Sequence, residues 1–482
     1  MIIHYKSILY ICLLALIGLF HSGCDQNEWI ALFDGSTLEG WEASENKDSW
    51  RVENGTLVAN GPRSHLFYVG QNSNTTFKNF ILEVDVKTES LSNSGIYFHT
   101  QYQETGWPDD GYEAQIANNI KRDDSGAYTG FVMTGSLNGI RNVLNSPVED
   151  EKWFHYRILV KGKTIRTYIN GQLIVDYTEP DDPFRPEATQ GRVLSSGTFA
   201  LQSHSAASKV YFKNIKVKPL SDDIETPGQP LADQDFAERL IRLNTEGIPL
   251  ADLHAHLKDG LTMEQALANA RKYGFTYGIP YNSGIKMGIE TEDSLRSFIA
   301  HHQQPAHTYM AMQAEGREWV NLFEKETVSR FDYIITDAMT WTNDNGQRMR
   351  LWIEEETFVG EPQHFMGQLV DRIENILNNE PIDIYVNATY LPKEIAARYD
   401  ELWTQDRMDR VINALVKNSV AMEISARYKI PGGKFIERAK KAGVKFTFGT
   451  NNTGPDDLGR LEYCLNMVEK VQLTTTDFWL PK

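Results

Sequence analysis

One change of rhythm constrains this chain more than any other feature. Up to about residue 220 apolar residues alternate with polar ones. From about residue 235, short apolar runs alternate with amphipathic stretches. A period of two belongs to strands and a period near 3.6 to helices, because successive strand side chains point to opposite faces. In the first half Phe80, Leu82, Val84 and Val86 fall on one strand face. Ile165, Thr167 and Ile169 lead into Asn170-Gly171, and Leu173, Val175 and Tyr177 follow. Asn-Gly between two alternating runs signals a hairpin, since both turn positions need positive φ. Val210, Phe212, Ile215 and Val217 slip out of strict alternation, which predicts a closing strand with a bulge. Many strands without helices predict an all-β jelly-roll sandwich over residues 28–220.

A polar, Pro- and Gly-containing stretch over 221–234 reads as a linker. The remainder, 235–482, offers seven strand candidates: Leu250–Leu253, Thr276–Pro280, Tyr309–Ala314, Asp332–Thr336, Ile382–Val386, Val420–Ser425 and Lys445–Gly449. Helical stretches such as Thr262–Tyr273, Phe365–Leu377 and Lys434–Ala442 follow most of them. Polar residues at the strand ends favour a distorted (β/α)7 barrel with its site at the C-terminal face. The fold class is thus multidomain: a β-sandwich followed by an α/β barrel.

Residues 1–23 read as an export signal rather than as fold: Lys6, then an apolar run from Ile8 to Phe20. Ser22-Gly23-Cys24 closes it and resembles a bacterial lipobox. The resemblance implies an acylated Cys24 and a lipoprotein of the bacterial cell envelope, on the periplasmic or surface side. The membrane is then met through the lipid alone. Apart from Cys12 and Cys24, only Cys464 remains, so no intrachain disulfide is available to the folded part. The net charge of −17 argues against binding nucleic acid phosphates. A sugar or a cation is compatible with it.

The first barrel strand ends Asp252-Leu253-His254-Ala255-His256. Residues two apart share a strand face, so both imidazoles can reach one cation at the barrel mouth. Asp252 is a third ligand or orients a histidine. Later strand ends bring Glu315, Asp337, Asn387, Glu423, Asn451 and Asn452. Imidazole plus carboxylate suits a divalent metal (Zn, Mn, Fe or Ni) held by His254, His256, Glu315 and Glu423. Asp337 is then the candidate base, and Arg317 a candidate substrate contact. The His-x-His, the seven strands, Glu423-Ile424, Phe448-Gly449-Thr450 and Leu458-Gly459 resemble the PHP (polymerase and histidinol phosphatase) superfamily over about Gly247 to Lys482. Such phosphoesterases place histidines after the middle strands and Asp-x-His after the last. Here Asp337, Asn387 and Asn451 stand there, which implies one metal rather than three.

In the first half, Leu32-Phe33-Asp34-Gly35 with Gly40-Trp41 opens a series of motifs. Asn93-Ser94-Gly95-Ile96-Tyr97-Phe98 and Gly111-Tyr112-Glu113-Ala114-Gln115-Ile116 follow, and Leu201-Gln202-Ser203-His204 and Phe212-Lys213-Asn214-Ile215 come late. This series closely resembles the 3-keto-disaccharide hydrolase domain family, a concanavalin-like jelly roll. It departs at Asn118, where an Asp is usual, and at His99, where an Arg is common. Glu113 and Gln115 share a face and can hydrogen-bond sugar hydroxyls; Glu113 is a second catalytic candidate. Trp107, Tyr97 and Phe98 offer apolar faces to a pyranose, and His204 is a further sugar contact.

The resemblance implies a 3-ketoglycoside substrate. A carbonyl at carbon 3 acidifies the hydrogen at carbon 2; a base removes it, the group on carbon 1 leaves, and water adds later. A metal in the barrel can stabilise the enediolate. Two other readings stay open. One is a metal-dependent phosphoesterase or amidohydrolase barrel with a lectin-like module. The other is a non-catalytic carbohydrate-binding lipoprotein.

Overall fold

The computed structural model describes residues 28–70, 75–124 and 128–481. The export-type segment and Cys24 lie outside the described residues.

The first half folds into two antiparallel sheets. The larger runs Gln172–Thr178, Thr164–Ile169, Phe154–Lys161, Phe80–Thr88, Val210–Pro219, Thr56–Ala59, Trp50–Glu53, with Ile30–Ala31 also on Val210–Pro219. The smaller runs Trp41–Ala43, Ser64–Tyr68, Thr198–Ser203, Asn93–Thr100, Tyr112–Ala117. The alternating run 80–86 buries Phe80, Leu82, Val84 and Val86 between the sheets. Asn170 and Gly171 turn the hairpin with φ of 50° and 82°, as a two-residue type I′ turn requires. The bulge in Val210–Pro219 lies between Lys213 and Lys216, with Asn214 at φ 52°.

The second half closes a parallel barrel of seven strands: Ala251–Asp252, Thr276–Ser283, Thr308–Ala314, Tyr333–Thr336, Ile384–Tyr385, Ala421–Ser425 and Phe446–Gly449. Each falls within or beside a segment expected from the sequence. Among the elements that the sequence reading did not name are a helix and a small hairpin. A helix, Gln234–Thr245, precedes the first barrel strand and is capped by the Asp233 carboxylate on Phe236 N–H. A small hairpin, Thr340–Thr342 with Arg348–Arg350, follows the fourth strand. Cys464 is buried, and its thiol donates to Ile424 O at 3.1 Å.

The halves are joined by more than the linker. The sandwich segment 131–144 passes under the N-terminal ends of the barrel strands. There Phe131, Met133 and Leu144 pack with Ala251, Leu253, Tyr309, Ala311, Tyr333, Ile335 and Leu480 in one buried cluster. Polar bonds fix it: Tyr309 OH donates to Leu144 O (3.2 Å), Asn145 Nδ2 to Thr308 O (2.9 Å) and Arg141 Nε to Lys272 O (2.8 Å). His307 sits in the same contact, with Nε2 2.6 Å from Ile174 O and Nδ1 3.2 Å from Phe275 O.

Proteolytic scission within 221–234 should leave the halves associated on size-exclusion chromatography; separation of the nicked halves in native buffer contradicts this. Leu144→Ala should cost about 2–5 kcal/mol in unfolding experiments. A third prediction concerns pH. Burial pushes the His307 pKa down to about 4, while an unfolded histidine titrates near about 6.5. The folded state therefore holds His307 neutral. The stability it contributes is present above about pH 6.5 and is lost as pH falls towards 4. His307→Gln flattens that part of the melting-temperature profile.

Candidate functional site

Two polar clusters stand out, one at the barrel mouth and one on the smaller sheet of the sandwich.

At the mouth, Asp252 is structural. Its carboxylate accepts from Thr450 N (2.8 Å), His254 N (3.3 Å) and the Thr450 hydroxyl, clasping the first strand to the last. Burial pushes its pKa up to about 6. His254 and His256 point together as their spacing predicted, with ring centroids 5.0 Å apart. Glu423, however, meets the other side of His254: its Oε1 lies 2.6 Å from Nδ1, and its Oε2 accepts Asn387 N–H at 2.7 Å. A Cβ on Gly449 would collide with Glu423 Oε1, so a glycine is needed there. Asp337 accepts from Met339 N and from Asn387 Nδ2, both at 2.9 Å. Asn451 Nδ2 in turn donates to Asn387 Oδ1 at 3.3 Å. Glu315 accepts from Gln313 Nε2 (2.9 Å). Burial, with the charge of Asp337 added, pushes its carboxyl well above the usual range, and burial raises Asp337 too.

Of the four expected metal ligands, His254 stands beside both His256 and Glu423, while Glu315 bonds Gln313 and lies within electrostatic reach of Asp337. Among the described residues no group of three His, Cys, Asp or Glu side chains could hold a metal ion. Arg317 is also placed differently from expectation. Its guanidinium donates to Glu380 (2.9 Å) and to Thr336 Oγ1 (3.0 Å), and Glu380 also takes Trp319 Nε1–H (2.6 Å). It braces the barrel wall through these bonds, while its Nε is buried without a partner.

On the sandwich, strand register aligns the second cluster. His65 pairs with Gln202, Gly95 with Gln115, and Tyr97 with Glu113. All project from the smaller sheet away from the core. Glu113 is 5% exposed; Gln202 Nε2 donates to its Oε1 (2.9 Å) and Asn138 Nδ2 to its Oε2 (2.7 Å). Gln115 Nε2 donates to Asn93 Oδ1 at 2.8 Å. A Cβ on Gly95 would stand 2.5 Å from Glu113 Oε1, so the glycine makes the berth for this carboxylate. Trp107 is 42% exposed and lies between two imidazoles, 5.5 Å from His65 and 5.4 Å from His204. Its loop is braced by Gln103, which donates to Trp107 O (2.9 Å) and accepts Asp109 N–H (3.1 Å). Arg63 lies over the indole at 5.3 Å while paired to Glu45.

Several buried polar atoms here have no hydrogen-bond partner: both ring nitrogens of His65, Gln202 Oε1 and His204 Nδ1. Burial, and then Arg63, lowers the His65 pKa to about 4; burial, and then Lys121, lowers that of His204. Both imidazoles are therefore neutral near pH 7, able to accept a proton. An unpaired buried polar group costs about 1–3 kcal/mol, so several on one face point to a polar ligand. Phe98, expected to offer a face to the sugar, is instead fully buried in the core against Tyr112. The two departures from the family pattern are structural. His99 Nε2 bonds Lys78 O (2.9 Å), and Asn118 bonds Thr88 and Asp150.

Sequence reasoning missed His65, Gln202, Asn138 and Lys121. Gln202 was reachable, since it lies two residues from His204 on one strand.

Residues 28–218 match the family model of the 3-keto-alpha-glucoside-1,2-lyase-like domain. Both the match and the Glu113 cluster fall in the sandwich. A candidate glycosyl hydrolase from Parabacteroides distasonis is 24% identical, with 40% of this chain and 94% of that chain covered and a TM-score of 0.35. The carbohydrate-binding module CBM66 from Bacillus subtilis is 14% identical, with 38% and 98% covered and a TM-score of 0.26. No curated protein matches the chain.

The berth gives a direct test. Gly95→Ala should displace Glu113 and weaken sugar binding in calorimetry while the melting temperature stays within a few degrees. Unchanged binding would remove Glu113 from the site.

Proposed function

We propose that the chain cleaves 3-ketoglycosides by elimination, and that the reaction takes place on the smaller sheet of the lyase-like domain. One observation carries this reading: the unpartnered nitrogens of His65 and His204 flank an exposed indole, and Gln202, with its own Oε1 unpartnered, holds Glu113 on the same face. Trp107 stacks on the C–H face of the pyranose. Glu113, held by two amide donors, orients the sugar hydroxyls. His204 Nδ1 takes the proton from carbon 2, and the C–H electron pair forms a carbon 2–carbon 3 enolate whose charge lies on the oxygen at carbon 3. As the enolate collapses back to the ketone, the pair forms the carbon 1–carbon 2 double bond and the bond from carbon 1 to the leaving oxygen breaks. The His204 imidazolium then returns the proton to that oxygen. Lys121, whose charge His204 feels, offsets the negative charge developing on the oxygen at carbon 3.

A barrel-centred, metal-assisted reaction is the rival, and paired variants separate the two. With an oxidised glucoside as substrate, Glu113→Gln and His204→Ala should each lower turnover about 100- to 10,000-fold and abolish deuterium exchange at carbon 2. Variants at His254 and His256 should keep both. The reverse pattern, with stoichiometric bound metal, would move the chemistry to the barrel.

We also propose that acylated Cys24 tethers the protein in the cell envelope of a bacterium. The support is Ser22-Gly23-Cys24 at the end of an apolar run. Among the described residues no helix is long and apolar enough to cross a membrane. Cys24→Ala should shift the protein from the membrane pellet to the soluble fraction; a variant that still pellets in high salt refutes the anchor.

A further inference from the structure

The outer face of the larger sheet takes no part in either polar cluster, and its charge departs from that of the whole chain, which is −17. Strand alternation turns Lys87, Arg157, Lys213, Lys216 and Lys218 outward on it, against Glu83 and Asp85. Both carboxylates are engaged. Glu83 pairs with Arg157 (2.6 Å) and Lys216 (3.0 Å), and Asp85 lies 2.8 Å from His155 Nδ1 and 2.6 Å from Asn214 Nδ2. The close partners of Lys87 and Lys213, among the described residues, are rings instead. Lys213 Nζ is 4.0 Å from the centre of the Trp153 ring, and Lys87 Nζ is 4.4 Å from that of Tyr211. Lys216 Nζ is 4.6 Å from the Trp29 ring. Trp29 and Trp153 are 40% and 39% exposed. Indoles and ammonium groups side by side on a solvated face suit the headgroup layer of a bilayer, where an amphipathic ring is half wet and an anionic phosphate meets the cation.

Chain geometry brings such a layer within reach. Ile30–Ala31 pairs with Val217 and Lys216, which fixes Trp29 at the sheet. Trp29 follows Cys24 by five residues, and that much extended chain reaches at most about 18 Å. An acyl group on Cys24 would therefore hold this sheet close to the bilayer. The other outer surface of the sandwich, on the smaller sheet, carries Glu113 and points the opposite way.

We propose that the outer face of the larger sheet docks on an anionic phospholipid surface, with Trp29 and Trp153 at headgroup depth and Lys87, Lys213 and Lys216 on the phosphates. Docking in this way turns the Glu113 site away from the membrane and towards dissolved substrate. The reach of the face rests on the acylation of Cys24 proposed above; its affinity for lipid does not, so the two are tested apart.

The test uses residues 24–482 carrying Cys24→Ala, the exported protein without an acyl group. It is mixed with vesicles of phosphatidylcholine, alone or with phosphatidylglycerol. A chain this acidic is repelled overall by an anionic vesicle, so binding there needs a local basic face. Sedimentation should show binding to the phosphatidylglycerol vesicles at low ionic strength, little binding to phosphatidylcholine alone, and release in high salt. A lysine near such a surface is worth about five-fold in partitioning, so Lys87→Gln with Lys213→Gln should weaken binding about 20- to 30-fold. Trp29→Ser with Trp153→Ser should weaken it as well. Lys434→Gln with Lys441→Gln, on the barrel helix Gly433–Ala442, should leave it unchanged. No binding to the anionic vesicles, equal binding to both kinds, or an equal loss from the barrel pair would each overturn the proposal. A dimer in solution that the Lys87 and Lys213 changes break would also overturn it, by giving the face to a second copy of the chain. Fractionation of Cys24→Ala cells in high salt, where this face is screened, reports on the anchor alone.

Discussion

A barrel of seven strands has to be filled from within, and this one is filled partly from outside. The short strands Ala251–Asp252 and Ile384–Tyr385 bring few inward side chains of their own. Phe131, Met133 and Leu144 of the sandwich complete the lower layer, against Tyr309 and Tyr333. Close packing of that layer removes water from beneath the mouth. The polar relay above it, from His254 to Asp337, therefore sits on an apolar floor supplied by the other half. Both clusters of titratable groups thus depend on one contact surface: the segment 131–146 leaves the lyase-like domain just after the strand bearing Glu113 and returns from beneath the barrel.

Much of the architecture was legible because it is written in periodicity. Phe80 to Val86 had to share a face, Asn170-Gly171 had to turn, and seven apolar runs between amphipathic stretches had to be parallel strands. The floor was not legible. Residues 128–146 carry no strong period, and nothing local tells Leu144 that Thr276 and Tyr309 will meet it. Such contacts are set by how two finished units dock, which sequence spacing does not encode.

The sites divide along the same line. His254 and His256 were recognisable because two residues apart on a strand means one face. Glu113 and Gln115 were recognisable for the same reason. The orientation of Glu423 was not, because whether it serves as ligand or as hydrogen-bond partner depends on which imidazole nitrogen it meets. Here Oε1 faces His254 Nδ1 and Oε2 takes the Asn387 N–H. Likewise His65 looked like any lone histidine until the register with Gln202 placed it beside Trp107. Chemistry spread over several strands becomes visible only when their alignment is known.

The floor also decides how freely the two halves can be parted. A module that covers its own surface can stand alone. This barrel cannot do so without cost, since parting from the sandwich would bare Tyr309, Tyr333 and Leu253 to water. Segment 131–146 thus makes the two halves one unit for folding, and a substitution beneath the barrel is felt on both sides of the contact.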